Sequence, residues 1–185
     1  AGKSVLVVED TPERAEAGAE RIAASLKRAE SRGKIDSAQE VLDRIEVITD
    51  FERLRDRDIV IEAIVENEAA KTDVFARLSE IVEKPDAILA SNTSSIPIMK
   101  LAVATERPAN VIGLHFFNPV PVLNLVEIVP SLLTDGDVVE RVRGFAQDDL
   151  GKQAIDSQDR AGFIVNALLI PFILSAIRML ESGFA

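Results

Sequence analysis

The chain has 185 residues, 47% of them hydrophobic and 28% charged, with a formal net charge of −10. This is the balance of a globular domain able to bury a core, and the acidic excess argues against a nucleic-acid surface. With no cysteine, tryptophan or tyrosine and a single histidine, disulfides, thiolate catalysis and cysteine-held metals are excluded, little is left for a transition-metal site, and stacking platforms for single-stranded bases are few. The absence of cysteine fits a reducing cytoplasm.

The opening Ala1-Gly2-Lys3-Ser4 carries no signal-peptide pattern and leads directly into residues 4–8, an aliphatic and β-branched run read as a buried strand. Thr11-Pro12-Glu13 opens a helix, with a hydroxyl for the N-cap, proline at the first helical position and acid in the first turn. Ala15, Ala19, Ile22, Ala23 and Leu26 recur at helical spacing, and Gly33 stops the run. Asp36 or Ser37 caps a second helix carrying Val41, Leu42 and Ile45. A strand over 46–48 and a short link through Phe51 and Leu54 come next. Ile59-Val60-Ile61-Glu62-Ala63-Ile64-Val65 is the strongest central-strand signal. A helix over 68–82, a strand over 87–91 and a short helix over 97–104 follow. Strands are expected at 111–115 and 125–129, a helix at about 137–150 and a last strand at 152–155. Residues 163–180 read as a buried apolar helix, kinked or interrupted near Pro171 and too polar and short for a membrane span.

Strands alternating with helices predict an α/β fold whose mostly parallel sheet is covered on both faces. Ligands of such sheets sit beyond the carboxyl ends of the strands. That rule singles out Glu9, Glu66, residues 91–95 and residues 115–118. Glu9, an acid ending the first strand, suits the ribose hydroxyls of a dinucleotide. The glycine-rich phosphate turn should precede such an acid by about 20 residues. No G-x-G-x-x-G occurs among the nine glycines, and counting back from Glu9 runs off the front of the chain. On the nucleotide reading the first strand, the phosphate loop and most of the first helix therefore lie outside this sequence, with Gly2 as the cap of that helix.

Ser91-Asn92-Thr93-Ser94-Ser95 is either a turn with an N-cap or a set of polar groups for a carbonyl or hydroxyl ligand. His115, the only histidine, is by default a packed imidazole at a strand end. It also takes and gives protons near neutral pH, and a carboxylate against its second ring nitrogen fixes its tautomer. Asn118-Pro119-Val120-Pro121 predicts a rigid, extended turn that sends the chain back so that Glu127 lies near the imidazole.

The runs Val60-Ile61-Glu62-Ala63-Ile64-Val65-Glu66-Asn67, Ser91-Asn92-Thr93-Ser94-Ser95-Ile96, Gly113-Leu114-His115-Phe116-Phe117-Asn118-Pro119-Val120-Pro121-Val122 and Gly162-Phe163-Ile164-Val165-Asn166, in that order and spacing, resemble the 3-hydroxyacyl-CoA dehydrogenases, closest to the bacterial 3-hydroxybutyryl-CoA branch. The resemblance covers essentially the whole chain. It implies a Rossmann-like NAD-binding domain over 1–158, incomplete at its start, and over 159–185 the first helix of an incomplete C-terminal helical domain that dimerises. The sequence is thus expected to be a fragment truncated at both ends, from a cytoplasmic enzyme of fatty-acid metabolism.

The resemblance further implies NAD as cofactor and an acyl-CoA as substrate, with no nucleic acid, membrane or metal involved. His115 resembles the catalytic base and Glu127 its carboxylate partner. Ser94 and Asn166 resemble the groups that hold the reacting oxygen, and Asn118 the nicotinamide-side asparagine. Glu9, Ala63, Ile64, Glu66, Lys71 and Ser94 match cofactor-contacting positions. Ser25 and Arg32 resemble those that meet the CoA moiety, Arg32 standing where lysine is common. Lacking the phosphate loop, the chain alone is expected to bind NAD poorly and to be inactive. Three alternatives remain open at this level: a non-enzymatic structural or binding relative, a dehydrogenase of a free 3-hydroxy acid, and a piece of a larger multifunctional protein.

Overall fold

A computed structural model describes residues 2–185, which divide between Arg55 and Asp56 into two compact units. In the first unit, strand β1 (Val5–Val8) pairs in parallel with β2 (Ile45–Ile48), Val5 opposite Ile45 and Val8 opposite Ile48. Helices α1 (Pro12–Ser31) and α2 (Ala38–Leu42) connect them. Thr11 caps α1 by accepting from the Arg14 N–H at 3.3 Å, with Pro12 following it. Gly33 ends the helix at φ +65°, and the Lys34 N–H reaches back to the Ala29 carbonyl at 2.9 Å, the left-handed stop that glycine permits. Ser37, rather than Asp36, caps α2 through the Glu40 N–H. Ile45 belongs to β2 and not to α2, which stops at Leu42. The buried residue of α1 is Gly18, one before the expected Ala19, which is exposed. Gly2 has φ +68°, the conformation expected of a capping glycine; Ala1 lies outside the described residues.

The second unit is built on a five-stranded sheet in the order β3-β4-β5-β6-β7: β3 (Ile59–Glu62), β4 (Ile88–Ser91), β5 (Val111–Phe116), β6 (Leu125–Pro130) and β7 (Gln153–Asp156). All neighbours run parallel except β5 and β6. The expected α/β architecture with a mostly parallel sheet is thus the observed one. Helices α3 (Glu68–Ile81), α4 (Ile98–Ala102), α5 (Gly136–Gly144) and α6 (Val165–Glu181) accompany the strands. Val138 and Val142 of α5, with Ala146 beyond it, repeat every four residues. They close one face of the sheet over Ile88, Ala90, Ile112, Leu114, Val126 and Ile128.

Three expectations are corrected here. The strand expected over 59–65 stops at Glu62, opposite Ser91. The Ile64 N–H turns inward to Glu62 Oε1 at 2.6 Å instead of continuing the ladder. The helix expected over 137–150 ends at Gly144, and a π turn over Phe145–Asp149 completes it, with the Leu150 N–H on the Phe145 carbonyl. The helix expected to be buried and broken at Pro171 runs unbroken from Val165 to Glu181 with no buried residue. Proline removes one donor from that helix, and the apolar side chains of Leu168, Phe172 and Leu180 are 68–73% exposed. No helix of the described residues is long and apolar enough to cross a membrane.

Gly113, in the middle of β5, shows how tightly the layers meet. A Cβ there would lie 2.8 Å from Val129 Cβ on β6 and 2.9 Å from Ile98 Cδ1 on α4. Ile98 Cδ1 is a side-chain end that can shift, but Val129 Cβ is fixed to the backbone of β6, so Gly113→Ala is expected to destabilise the chain by about 1–3 kcal/mol, read as a lowered urea midpoint. An unchanged midpoint would mean that α4 is free to move off the sheet.

Candidate active site

The antiparallel pairing of β5 and β6 makes His115 and Glu127 direct partners across the ladder, so their side chains share one face. His115 Nδ1 lies 2.6 Å from Glu127 Oε2, the imidazole 6% and the glutamate 0% exposed. The other oxygen, Oε1, accepts the N–H groups of Ile164 and Val165 at 2.9 and 3.0 Å. Helix α6 has no cap from its own neighbouring side chains, so Glu127 caps it from 37 residues away. With both Glu127 oxygens acting as acceptors, Nδ1 is the donor, and in the neutral imidazole this leaves the lone pair on Nε2.

Phe117 and Phe163 wall the imidazole, their ring centroids 4.6 and 5.5 Å away, the second edge-on. Phe163 has φ +49° and follows Gly162 at +75°. Two consecutive left-handed residues make the sharp turn that delivers the start of α6 to Glu127. Such a backbone costs about 1–2 kcal/mol at a residue with a side chain.

Asn166, in the first turn of α6, lines an open cleft of about 480 Å³ together with Ser94, Ser95, Gly162, Ile170 and Pro171. The structure therefore brings Ser94 and Asn166 to one cleft. The Glu127 link places the turn carrying Asn166 beside the imidazole's partner. Asn118 lies exposed on the turn after β5, behind a cis Asn118–Pro119 bond. That turn is compact rather than extended, with the Val122 and Leu123 N–H groups both on the Pro119 carbonyl.

Residues 91–95 are organised by Glu66. Its Oε1 accepts from Thr93 Oγ1 at 2.6 Å, from the Ser94 and Ser95 N–H groups at 2.9 and 3.1 Å, and from Ser95 Oγ at 3.0 Å. Ser94 Oγ stands 3.3 Å away. Burial acts to raise the Glu66 carboxyl, but the Thr93, Ser94 and Ser95 donors and the Lys71 ammonium outweigh it and hold the group down at about 2. Ala63 and Ile64 are exposed between Glu62 and Glu66. Lys71 is 1% exposed, and its ammonium points inward to Glu62 Oε1 at 2.6 Å and to Glu66 Oε2 at 3.4 Å.

In the first unit, Glu9 is half-buried at the end of β1, its N–H on the Ile48 carbonyl. Ser25 and Arg32 are exposed seven residues apart, two turns along one side of α1 with Arg32 at its C-cap. Among the described residues no group of three or more histidine, aspartate or glutamate side chains is placed to hold a metal ion.

Glu62 and Asp159 of the second unit escaped the sequence reading, and Asn92 was singled out only as one of residues 91–95, without its partner. Glu62 sits under the site with a 4% exposure; its signal was a lone acid in an otherwise apolar strand. Asn92 Oδ1 accepts the Phe116 N–H at 2.8 Å, tying residues 91–95 to the strand of His115. Asp159 caps α4, each oxygen 2.8 Å from the Ile98 or Met99 N–H. Nothing local marks Asp159, because the helix it serves is 60 residues away.

The model of the 3-hydroxyacyl-CoA dehydrogenase NAD-binding domain matches residues 1–160. A 3-hydroxybutyryl-CoA dehydrogenase of Mycobacterium tuberculosis is 54% identical over 187 residues, covering all of this chain and 65% of that protein. The crystal structure of M. tuberculosis FadB2 superposes with a TM-score of 0.96 at 53% identity, over 98% of this chain and 65% of the other. That of (S)-3-hydroxybutyryl-CoA dehydrogenase PaaH1 from Ralstonia eutropha gives 0.92 at 38% identity, over 98% and 64%. The chain thus spans about two thirds of the length of these relatives. With its fold and this match in agreement, the chain belongs to the NAD-binding domain family of the 3-hydroxyacyl-CoA dehydrogenases.

Proposed function

We propose that the chain forms the cofactor-binding and acid–base part of an NAD-dependent dehydrogenase that oxidises (S)-3-hydroxyacyl-CoA, specifically 3-hydroxybutyryl-CoA, to the 3-ketoacyl thioester. The observation that carries this reading is the buried His115–Glu127 pair at 2.6 Å beside the Ser94–Asn166 cleft. Residues 1–158 are proposed as the NAD-binding domain and 159–185 as the first helix of a helical dimerisation domain. The whole protein is proposed to be a homodimer working in the cytoplasm.

The residues present fit the cofactor. Glu9 offers a carboxylate at a strand's carboxyl end for ribose hydroxyls. Residues 63–66 leave the sheet as an exposed segment pinned by the Ile64–Glu62 hydrogen bond, which leaves Ala63, Ile64 and Glu66 for contact. Ser94 and Asn118 complete the set on the nicotinamide side, with Lys71 behind Glu66. The cofactor supplies the hydride acceptor.

The chain's own residues do the rest. His115 Nε2 takes the proton of the substrate 3-hydroxyl, and in the reductive direction returns it to the same oxygen. Glu127 compensates the positive charge that this leaves on the imidazole. Ser94 and Asn166 hold the oxygen in reach of Nε2, so that reaction starts from an aligned complex. Phe117 and Phe163 exclude water from the ring. Ser25 and Arg32 are proposed to meet the CoA moiety.

In a protein that extends this chain to the length of its relatives, His115→Gln is expected to lower kcat for NADH oxidation with acetoacetyl-CoA by about 10²–10⁴-fold, with NADH affinity nearly unchanged. An unchanged kcat would remove His115 from the reaction. Glu66 makes a prediction about the chain alone. Its carboxyl is held at about 2 against an ordinary 4.5, so the stabilisation is complete above pH 4.5 and is lost as the pH falls from 4.5 towards 2. Glu66→Gln should flatten the decline of the urea midpoint through that window; parallel declines in variant and parent would contradict the assignment.

A further inference from the structure

Beneath the exposed segment 63–66 lies a buried ion cluster, and its carboxylate Glu62 has no task in the proposed reaction. Glu62 Oε1 accepts from Lys71 Nζ and from the Ile64 N–H, both at 2.6 Å, and Oε2 accepts from Ser91 Oγ at 2.7 Å. Ser91 Oγ in turn accepts the Thr93 N–H at 3.2 Å, and the Glu62 carbonyl accepts the Asn92 N–H at 2.9 Å. Lys71 spans from Glu62 to Glu66 and touches the Ile64 carbonyl at 3.4 Å. The side chains of Glu62 and Lys71 are each 1% exposed, and Glu62, with both oxygens engaged, does not reach a ligand lying on the strand ends. The groups they grip are the ones at the surface: Ile64, Glu66 and, through Ser91 and Glu66, residues 93–95.

We propose that Glu62 is a positioning residue: with Lys71 and Ser91 it locks the segment 63–66 and the segment 91–95 into one relative geometry, and thereby sets where Glu66 and Ser94 meet cofactor and substrate. The proposal rests on the dehydrogenase reading above. Two segments that leave adjacent strands have no further ladder bonds to hold them together, since the β3–β4 pairing ends at Glu62 and Ser91. The side-chain oxygens of those same two residues take over where the ladder stops. Lys71 places its charge between the two carboxylates, so that Glu62 and Glu66 stand on one cation rather than repelling each other.

Glu62→Gln keeps the shape of the side chain and removes its charge. In a protein extending this chain to its relatives' length, it is expected to weaken NADH binding, followed by fluorescence, about tenfold. Lys71→Met, which also removes a proposed cofactor contact, should weaken it at least as much, and E62Q/K71M should be no worse than Lys71→Met alone, because one device is lost once. Additive losses would overturn the proposal. So would a lowered melting temperature with NADH affinity and kcat unchanged, the behaviour of an ordinary core ion pair. Should the charge variants fail to fold, Ser91→Ala removes only the donor to Oε2 and should weaken NADH binding about threefold; no change overturns the assignment. Hydrogen exchange of the Ile64, Ser94 and Ser95 amides reads the same lock in this chain without turnover. Glu62→Gln or Ser91→Ala should speed all three about tenfold, and unaltered exchange counts against the role given to Glu62. If the unmodified protein failed to reduce acetoacetyl-CoA while exchange responded as expected, the reaction would be wrong and the lock would stand.

Discussion

The second unit hangs on what a fully buried carboxylate demands. Glu127 is removed from solvent, and an acceptor pair in that position is tolerated only if donors reach both oxygens. One set comes from the imidazole and the other from two main-chain N–H groups at the start of α6. Those amides are the unpaired donors that every helix start leaves, and a carboxylate there also meets the positive end of the helix dipole. A single side chain therefore orients the proposed base and anchors the helix that carries Asn166. The left-handed turn at Gly162 and Phe163 follows from the same demand, since the chain must swing sharply to present the Ile164 and Val165 amides.

The sheet topology makes that carboxylate reachable. In a wholly parallel sheet the residue beside a strand's carboxyl end belongs to another carboxyl end, and a strand and its successor are separated by a crossover. Reversing β6 against β5 brings the chain straight back, so that Glu127 is paired with His115 only 12 residues after it. The parallel part of the sheet meanwhile gathers the ends of β3, β4 and β5, which is where Glu62, residues 91–95 and His115 stand. One antiparallel step thus supplies the proposed acid–base pair, and the parallel steps supply the groups around it.

What was legible in the sequence was local or periodic. Thr11-Pro12, Ser37, Gly33 and the apolar strand runs each carry their structural instruction within four residues, and the elements they announce are present. Strand-end acids and the single histidine were legible because the carboxyl-end rule needs only element order. Three kinds of information were not. Caps supplied from afar, Asp159 for α4 and Glu127 for α6, leave no mark near the helices they serve. The true end of β3 depends on a side chain, Glu62, competing with the ladder for the Ile64 N–H, and alternating hydrophobicity says nothing of that contest. The exposure of α6 depends on which surfaces are available to cover it, whereas its composition reports only that it favours being covered.

The buried charges under the site are best understood by asking what an apolar replacement would lose. An ion pair such as Lys71–Glu62, at 1% exposure, gives up hydration that its mutual attraction scarcely recovers. Hydrophobic side chains of similar volume would often stabilise a fold as well or better. Burial energy therefore does not account for the pair. A hydrophobic pair, however, offers nothing to the Ile64 N–H, the Ser91 hydroxyl or the second carboxylate of Glu66, all of which Glu62 and Lys71 engage in fixed directions. Those directions are what a surface segment without regular structure lacks when its strand has ended. Charge at this place supplies orientation that packing does not, and it does so directly below the residues proposed to hold a cofactor and a reacting oxygen in register.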